Sequence, residues 1–423
     1  MTDTPSPDAI LRHRREFAST VVQRLRAAGY EALWAGGCVR DLLLEREPLD
    51  FDVATSAKPQ QVRELFGHRR TLAVGASFGV IIVLGPHAAA GQVEVATFRS
   101  DAQYSDGRRP DSVRFSTAEE DAQRRDFTIN GMFYDPLDQR VIDYVGGRDD
   151  LQRGLIRAIG DADARIGEDK LRMLRAVRFA ARLGFAIESR TEAALARHAN
   201  ELAIVSGERM AAEMHKTLIT AGRETAVRTW AETGLLAVLL PGLARAWSQL
   251  GEQACGLLRS VAPDPWTVAV STLLYPLVDA QTVTAAELCD DLRTRLKLSN
   301  EEFMQLGFCL HSQALLDAAP RLAWSQVQPT MAHRYAALAC ELFAARVACG
   351  RADVATLDWL RQRLAWQPDR LDPPVWVTGR DLQQLGFSPG PRFKQLLGEI
   401  RALQLDGQLV DRQQALAWLT QQR

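Results

Sequence analysis

From about residue 160 to its end, this 423-residue chain is written almost wholly in helical period, whereas the first 150 residues alternate short strands with helices. That change of period sets the expected fold class: α+β, a small mixed sheet with helices at the N-terminus followed by a long all-α part. The length suits about two to four domains and a sizeable core. After a disordered start over residues 1–8, ILRHRREFASTVVQRLRAAG reads as an amphipathic helix stopped by Gly29. Strands are expected at YEALWA, DFDVAT, RTLAV, FGVIIVLG and QVEVATF, with a helix from Pro59 to about 66 capped by Ser56. Residues 100–123, SDAQYSDGRRPDSVRFSTAEEDAQ, have little periodicity and read as a long functional or disordered loop. Pro263, Pro265 and PDRLDPP at 368–374 are candidate joints in the helical part.

The head carries a concentration of polar chemistry. In AGGCVRDLLLEREPLDFDVAT (35–55), Asp50 and Asp52 stand one residue apart on the expected strand, so both would project from one face. Two carboxylates that close repel unless a cation lies between them, and oxygen-only donors suit Mg²⁺. The Gly36–Gly37 turn ahead of them would expose backbone N–H groups to an anion. A solvated strand face is the alternative for an isolated D-x-D. The preceding glycines and a later acidic strand residue, Glu94 in VEVATF, favour a metal–triphosphate site; Glu94 is either a third carboxylate or a plain outward-facing charge. In RRDFTIN (124–130), Asp126 can accept from sugar hydroxyls while Arg125 and Asn130 donate; the alternative is a salt-bridged loop.

GEDKLRMLRAVRFAARLGF (167–185) reads as one helix with Arg172, Arg175, Arg178 and Arg182 inside an arc of roughly 120°. Arg182 is expected to be solvated. Asp169 and Arg172, at i and i+3, would set a carboxylate beside a guanidinium fork. Carboxylate accepts from the exocyclic amine of cytosine or adenine and Arg donates to ring acceptors, whereas guanine and uracil present a carbonyl instead. Glu168 is placed to hold the Arg.

Other properties narrow the class. Hydrophobic residues make up 47% and the formal net charge is −1, so any RNA-binding surface must be local. Only five of the 51 basic residues are Lys; a GC-rich genome explains much of that, and Arg is the better bidentate partner for phosphate. The N-terminus is polar, without a signal-peptide apolar stretch, and the longest apolar run, WTVAVSTLLYPLV, is too short to span a bilayer. None of the six cysteines forms a C-x-x-C pair, so they are expected to be buried free thiols in a cytoplasmic protein.

Together these stretches resemble the class II tRNA nucleotidyltransferases of the polymerase-β-like superfamily, which comprise CCA-adding enzymes and bacterial poly(A) polymerases. GGCVRD with DFD resembles their catalytic motif, RRDFTIN the ribose motif, DYVGGRDDL (143–151) the head–neck junction, EDKLR the amino-acid template, and SGERMAAEMHK (206–216) the neck motif, through Glu208, Arg209, Glu213 and Lys216. The tail segment TGRDLQQLGFSPGPRFKQLL is a less specific match. The resemblance implies a nucleotidyltransferase head over residues 1–150, a nucleotide-selecting neck over 151–222, and a tRNA-binding body and tail over 223–423. It implies Mg²⁺ on Asp50 and Asp52, with Glu94 beside them. Nucleotide contacts are implied for Gly36, Gly37, Arg40, Arg125, Asp126, Asn130, Glu168, Asp169, Arg172, Arg175 and Arg178. The implied reaction adds CMP and AMP from CTP and ATP to the tRNA 3′ end, without an RNA template. VGASFGVIIV (74–83) stands where poly(A) polymerases of this class carry a basic segment, and YSDGRRPDSVRF (104–115), with Asp106, Gly107, Arg108 and Arg109, resembles the flexible loop that CC-adding enzymes lack. That loop is the expected element for re-aiming the Asp–Arg pair after the second C. A-only addition, poly(A) addition, a small-molecule nucleotidyltransferase and a catalytically idle RNA-binding protein are the alternatives. The sequence leaves the oligomeric state open.

Overall fold

The computed structural model describes residues 6–75, 79–101 and 113–422. The chain forms two compact units, Met1–Leu239 and Leu240–Arg423.

The first unit opens with α1 (Pro7–Ala27). Ser6 caps it by accepting from the Ala9 N–H at 3.3 Å, Pro7 occupies the first turn, and Gly29 at φ 86° ends the run. Ala18, Val21, Val22 and Leu25 are buried at helical spacing against the sheet, and burying a Val or Leu side chain contributes about 1.5–3 kcal/mol.

The sheet's first four strands and the helices between them are β1 (Ala32–Ala35), α2 (Gly37–Leu43), β2 (Asp52–Thr55), α3 (Pro59–Phe66), β3 (Thr71–Gly75) and β4 (Val80–Leu84). Then come β5 (Gln92–Thr97), a ribbon of β6 (Arg99–Asp101) and β7 (Val113–Phe115), α4 (Ala118–Gln123), β8 (Phe133–Asp135) and β9 (Arg140–Ile142). The sheet order is β3-β4-β5-β2-β1-β8-β9. Only β2 and β5 pair in parallel; the other neighbours are antiparallel. The interior strand β1 is buried along its whole length, as a strand flanked and covered on both faces must be. Its Trp34 packs between Phe51 and Tyr134, with ring centroids 4.7 and 5.6 Å away.

Beyond the sheet lie α5 (Gly147–Arg153), β10 (Leu155–Ile156), α6 (Ala162–Glu168), α7 (Arg172–Leu183), β11 (Ala186–Ile187), α8 (Ser189–His198), α9 (Gly207–Leu218), α10 (Arg223–Glu232) and α11 (Leu235–Leu239). β10 and β11 form a short parallel pair, strand content not expected this far along the chain.

Several expectations are corrected. The strand begins at Asp52 rather than Asp50, so Asp50 lies in the bend before it. Ser56 sits too early to cap α3; its hydroxyl accepts from the Glu31 N–H instead, and Lys58 is the cap residue. The helix expected over 167–185 breaks at Asp169–Leu171, because Asp169 is extended (φ −146°, ψ 107°) and ends α6. Pro263 and Pro265 lie between two mutually packed helices of the second unit, Trp247–Arg259 and Trp266–Asp279, and 368–374 is also internal to that unit. The division falls earlier, at 239/240, ahead of Pro241, because α10 and α11 pack back onto α7, α9 and the 199–204 turn.

The second unit is helical throughout its described residues. One of its cores gathers Leu316, Val327, Met331, Phe343, Leu357 and Leu360; another gathers Val377, Leu382, Leu396, Ile400, Ala415 and Leu419. Among the described residues no helix is long and apolar enough to cross a membrane. All six cysteines are free; five are buried, and Cys349 is partly exposed.

Candidate active site

A cavity of about 540 Å³ lies in the first unit. Gly36, Gly37, Arg40 and Asp52 line one side; Arg124, Arg125, Asp126 and Asn130 line another; Asp169, Leu171, Arg172, Arg175, Phe179 and Arg209 close it.

The acidic end is built by strand register. Asp52 on β2 and Glu94 on β5 are direct partners in the parallel ladder, so it is Glu94, not Asp50, that shares the Asp52 position on the sheet. Loss of water around the Asp52 carboxyl, then the Glu94 charge, push its pKa up to about 6, with Asp50 adding to the rise and Arg125 opposing it. Asp50 is largely exposed beside Arg14, whose Nη1 lies 3.4 Å from Asp50 Oδ1 and donates to the Leu49 carbonyl at 2.7 Å. Among the described residues no three His, Cys, Asp or Glu side chains already form a metal cage. The donor set is nevertheless hard oxygen and mutually repulsive, which fits a divalent cation at this end.

Gly36 meets the arginine side of the cavity at close range. Its φ of 72° favours glycine, and a Cβ there would come within 3.1 Å of Arg125 Nη1. Gly37 begins α2. Arg40 on α2 is buried and donates to Asn130 Oδ1 at 2.8 Å and to Asp41, so its own guanidinium is used to fix Asn130.

Asp126 is likewise a holder. Its Oδ1 accepts from Asn130 Nδ2 (3.0 Å) and the Phe127 N–H (2.8 Å); its Oδ2 accepts from Arg175 Nε (2.8 Å) and Nη2 (2.6 Å). A carboxylate offers about four lone-pair sites, and here the protein's own donors engage all of them. Burial alone would raise its pKa; the Arg175 charge and these hydrogen bonds outweigh burial and hold it at about 2. The whole segment is anchored from behind. Thr128 Oγ1 donates to Asp150 on α5 at 2.8 Å, and the Gly147 backbone packs so closely on the Thr128 carbonyl that a Cβ would approach it to 2.2 Å.

Arg124 and Arg125 are both gripped by Asp121 on α4, a residue the sequence reading passed over. Asp121 Oδ1 accepts from Arg124 Nη2 at 2.7 Å, and Oδ2 from Arg125 Nη2 at 2.9 Å. Burial would raise the Asp121 pKa, but Arg125 and then Arg124 hold it below the usual carboxylate range. The signal was present: Asp121 stands three and four residues before the two arginines, the spacing of helix-surface neighbours.

At the far end, Asp169 and Arg172 flank the break between α6 and α7. Arg172 Nη1 donates to Glu168 Oε2 at 2.6 Å and to the Arg165 carbonyl at 2.8 Å; Nη2 reaches the Arg124 carbonyl at 3.3 Å. Of its five N–H donors two remain. Asp169 Oδ1 accepts from the Leu171 N–H (3.1 Å) and Oδ2 from Arg209 Nη2 (2.8 Å), leaving one lone pair on each oxygen. Both members of the pair are therefore fixed and still offer donors and acceptors to the cavity. Arg209 entered the sequence reading only through the neck motif, and Phe179 not at all.

Arg178 does not line the cavity. It is buried, its Nε donating to Glu213 Oε2 on α9 at 2.6 Å, and burial lowers its pKa against the pull of Glu213. Arg182 is half-exposed. The residues expected to form the flexible loop, Asp106, Gly107, Arg108 and Arg109, lie outside the described residues, as do positions 76–78 of VGASFGVIIV.

Residues 32–157 match the poly A polymerase head domain, and residues 184–246 match the probable RNA and SrmB-binding site of polymerase A. The chain is 37% identical over 418 residues to the CCA-adding enzyme of Geobacillus kaustophilus (strain HTA426), covering 96% of each. Among solved structures it resembles the Bacillus stearothermophilus CCA-adding enzyme in complex with CTP, with a TM-score of 0.77, 32% identity, and coverage of 96% of this chain and 97% of that one. The fold is also that of the Thermotoga maritima CCA-adding enzyme complexed with tRNA-CCA, with a TM-score of 0.63, 20% identity, and coverage of 99% and 98%.

Proposed function

This chain belongs to the family of CCA-adding enzymes, and we propose that the cavity of its first unit is where that reaction takes place. The enzyme is a nucleotidyltransferase that takes CMP and AMP from CTP and ATP and joins them to the 3′ end of tRNA, building or repairing CCA. The observation that supports this site most directly is its polarity. Acidic Asp52, the donor–acceptor pair of Asp169 and Arg172, and the cationic Arg125 and Arg175 all line the one cavity.

In this reading the base lies against Asp169 and Arg172, whose spare acceptors and donors suit the amine and ring acceptor shared by cytosine and adenine. Arg125 and Arg175, held by Asp121 and Asp126, face the triphosphate, and Asn130, held by Arg40, faces the sugar. The terminal 3′-hydroxyl oxygen of tRNA bonds to the α-phosphorus as the bond to pyrophosphate breaks. Mg²⁺ held by Asp50 and Asp52, with Glu94 alongside, would supply charge stabilisation at the reacting phosphate. What the protein contributes beyond this is positioning. The proposed division is head over residues 1–150, neck over 151–222, and tRNA-binding body and tail over 223–423, of which 223–239 pack with the first unit. Mostly buried free thiols support a cytoplasmic setting.

The test is a tRNA transcript ending before CCA, incubated with labelled CTP and ATP, and sequencing of the product. Completed CCA supports full addition; growth only on a primer ending in CC restricts the chain to A, and a long A tract would make it a poly(A) polymerase. A narrower result is expected for Arg172→Ala. Its CTP preference over UTP should shrink by about 1–3 kcal/mol, the worth of a base-edge hydrogen-bond pair. Unchanged selectivity with only a lower rate would count against selection by this pair.

A further inference from the structure

We infer that Arg209 is a specificity-determining positioning residue that aims Asp169 at the incoming base. The inference rests on the proposed role of the Asp169–Arg172 pair. Asp169 lies in extended backbone between two helices, so no helical packing sets the direction of its side chain. Two contacts do so instead, one on each carboxylate oxygen. The Leu171 N–H supplies the first from the same turn. Arg209 supplies the second from α9, 40 residues away in sequence. Arg209 has no other hydrogen bond or ion pair among the described residues, and it lines the same cavity. Its contact differs from the ion pair that joins α7 to α9, Arg178–Glu213, which is buried and does not line the cavity.

The two halves of the selecting pair are thus each held by a residue outside it: Arg172 by Glu168 and Asp169 by Arg209. The grips are not equivalent. Glu168 is four residues from Arg172 along the chain, so that pair assembles locally. Arg209 meets Asp169 only when α9 has packed on α7. Without Arg209 the carboxylate keeps only the Leu171 contact and can turn about its Cα–Cβ and Cβ–Cγ bonds. An acceptor that wanders recognises an amine less well, and it also repels the carbonyl of uracil less well. Discrimination should therefore fall along with affinity.

The experiment uses the full chain, with Arg209→Ala and Arg209→Lys, and a tRNA transcript ending before CCA. For each variant, kcat and KM are measured for CTP and UTP, KM is measured for tRNA, and folding is followed by melting temperature. Arg209→Ala is expected to raise the KM for CTP and reduce the CTP-over-UTP ratio of kcat/KM by about ten-fold, the consequence of losing one charge-assisted hydrogen bond. KM for tRNA should not change, and Arg209→Lys should restore part of the ratio. If Arg209→Ala slows CTP and UTP in the same proportion, Arg209 is a structural brace and the inference is overturned. Should Arg209→Ala fail to fold, Arg209→Lys decides: a reduced ratio supports the inference and a wild-type ratio overturns it. Arg172→Ala separates the two levels. Loss of selectivity in Arg172→Ala but not in the Arg209 variants overturns only the role of Arg209, whereas wild-type selectivity in Arg172→Ala removes the selecting pair and Arg209 with it.

Discussion

Asp52→Asn is expected to abolish transfer of CMP and AMP alike while the chain stays folded. Asp52 lines the cavity proposed as the catalytic site, and its strand register places it beside Glu94. Replacing it removes the proposed anionic metal ligand with little change in side-chain volume. The fold should tolerate this because Asp52 is exposed at the start of β2, and the charges of Glu94 and Asp50 push its pKa up. A carboxyl with a raised folded pKa contributes its full stability below the unfolded value near 4. That contribution is lost as the pH rises through about 6, so at pH 7 the Asn variant should melt no lower than wild type. A second readout does not depend on turnover. Mg²⁺ should raise the melting temperature of wild type and have a much smaller effect on Asp52→Asn. Near wild-type incorporation by the variant would remove Asp52 from the site.

The largest effect on stability is expected from Glu213→Ala. Glu213 and Arg178 face each other from α9 and α7 with side chains only 4% and 9% exposed, and the Arg178 guanidinium also lies 4.3 Å from the Phe179 ring centroid. Removing the carboxylate strands a buried cation, which costs about 3–5 kcal/mol. Replacing both members, as Arg178→Met with Glu213→Leu, should recover most of that loss, since a well-packed apolar pair needs no desolvated charge. Urea unfolding followed by circular dichroism gives the comparison. A Glu213→Ala variant within about 1 kcal/mol of wild type would mean that water reaches the pair.

Much of the head could be read in the sequence because its strands obey the period-two rule and its turns carry glycine. QVEVAT is buried at Val93, Val95 and Thr97 and open at Glu94, as the alternation predicts. The pattern failed where backbone conformation departs from its period. DFDVAT reads as a strand from Asp50, but Leu49 and Asp50 are drawn to Arg14 on α1, and only the residues from Asp52 pair with β1. EDKLR reads as helix throughout, yet it contains the break that frees Asp169. Periodicity also cannot tell a buried arginine from a solvated one. Arg178 and Arg182 share the arc predicted for the helix, but one meets Glu213 in the interior and the other meets solvent. The positioning residues were the hardest to see, because Asp121 and Arg209 owe their importance to the residues they hold. The sheet order, with β5 inserted beside β2, was not legible at all, since nothing local encodes which strands become neighbours.

Gly147 has a mechanical consequence. With the Thr128 carbonyl filling the space where its side chain would be, and Thr128 also tied to Asp150, the start of α5 and the Asp126–Asn130 segment have no slack between them. Displacing one must displace the other by a similar amount. The junction between sheet and helices therefore behaves as a weld rather than a swivel. Any rearrangement that lets one cavity accept two bases of different size has to be absorbed elsewhere than at this junction.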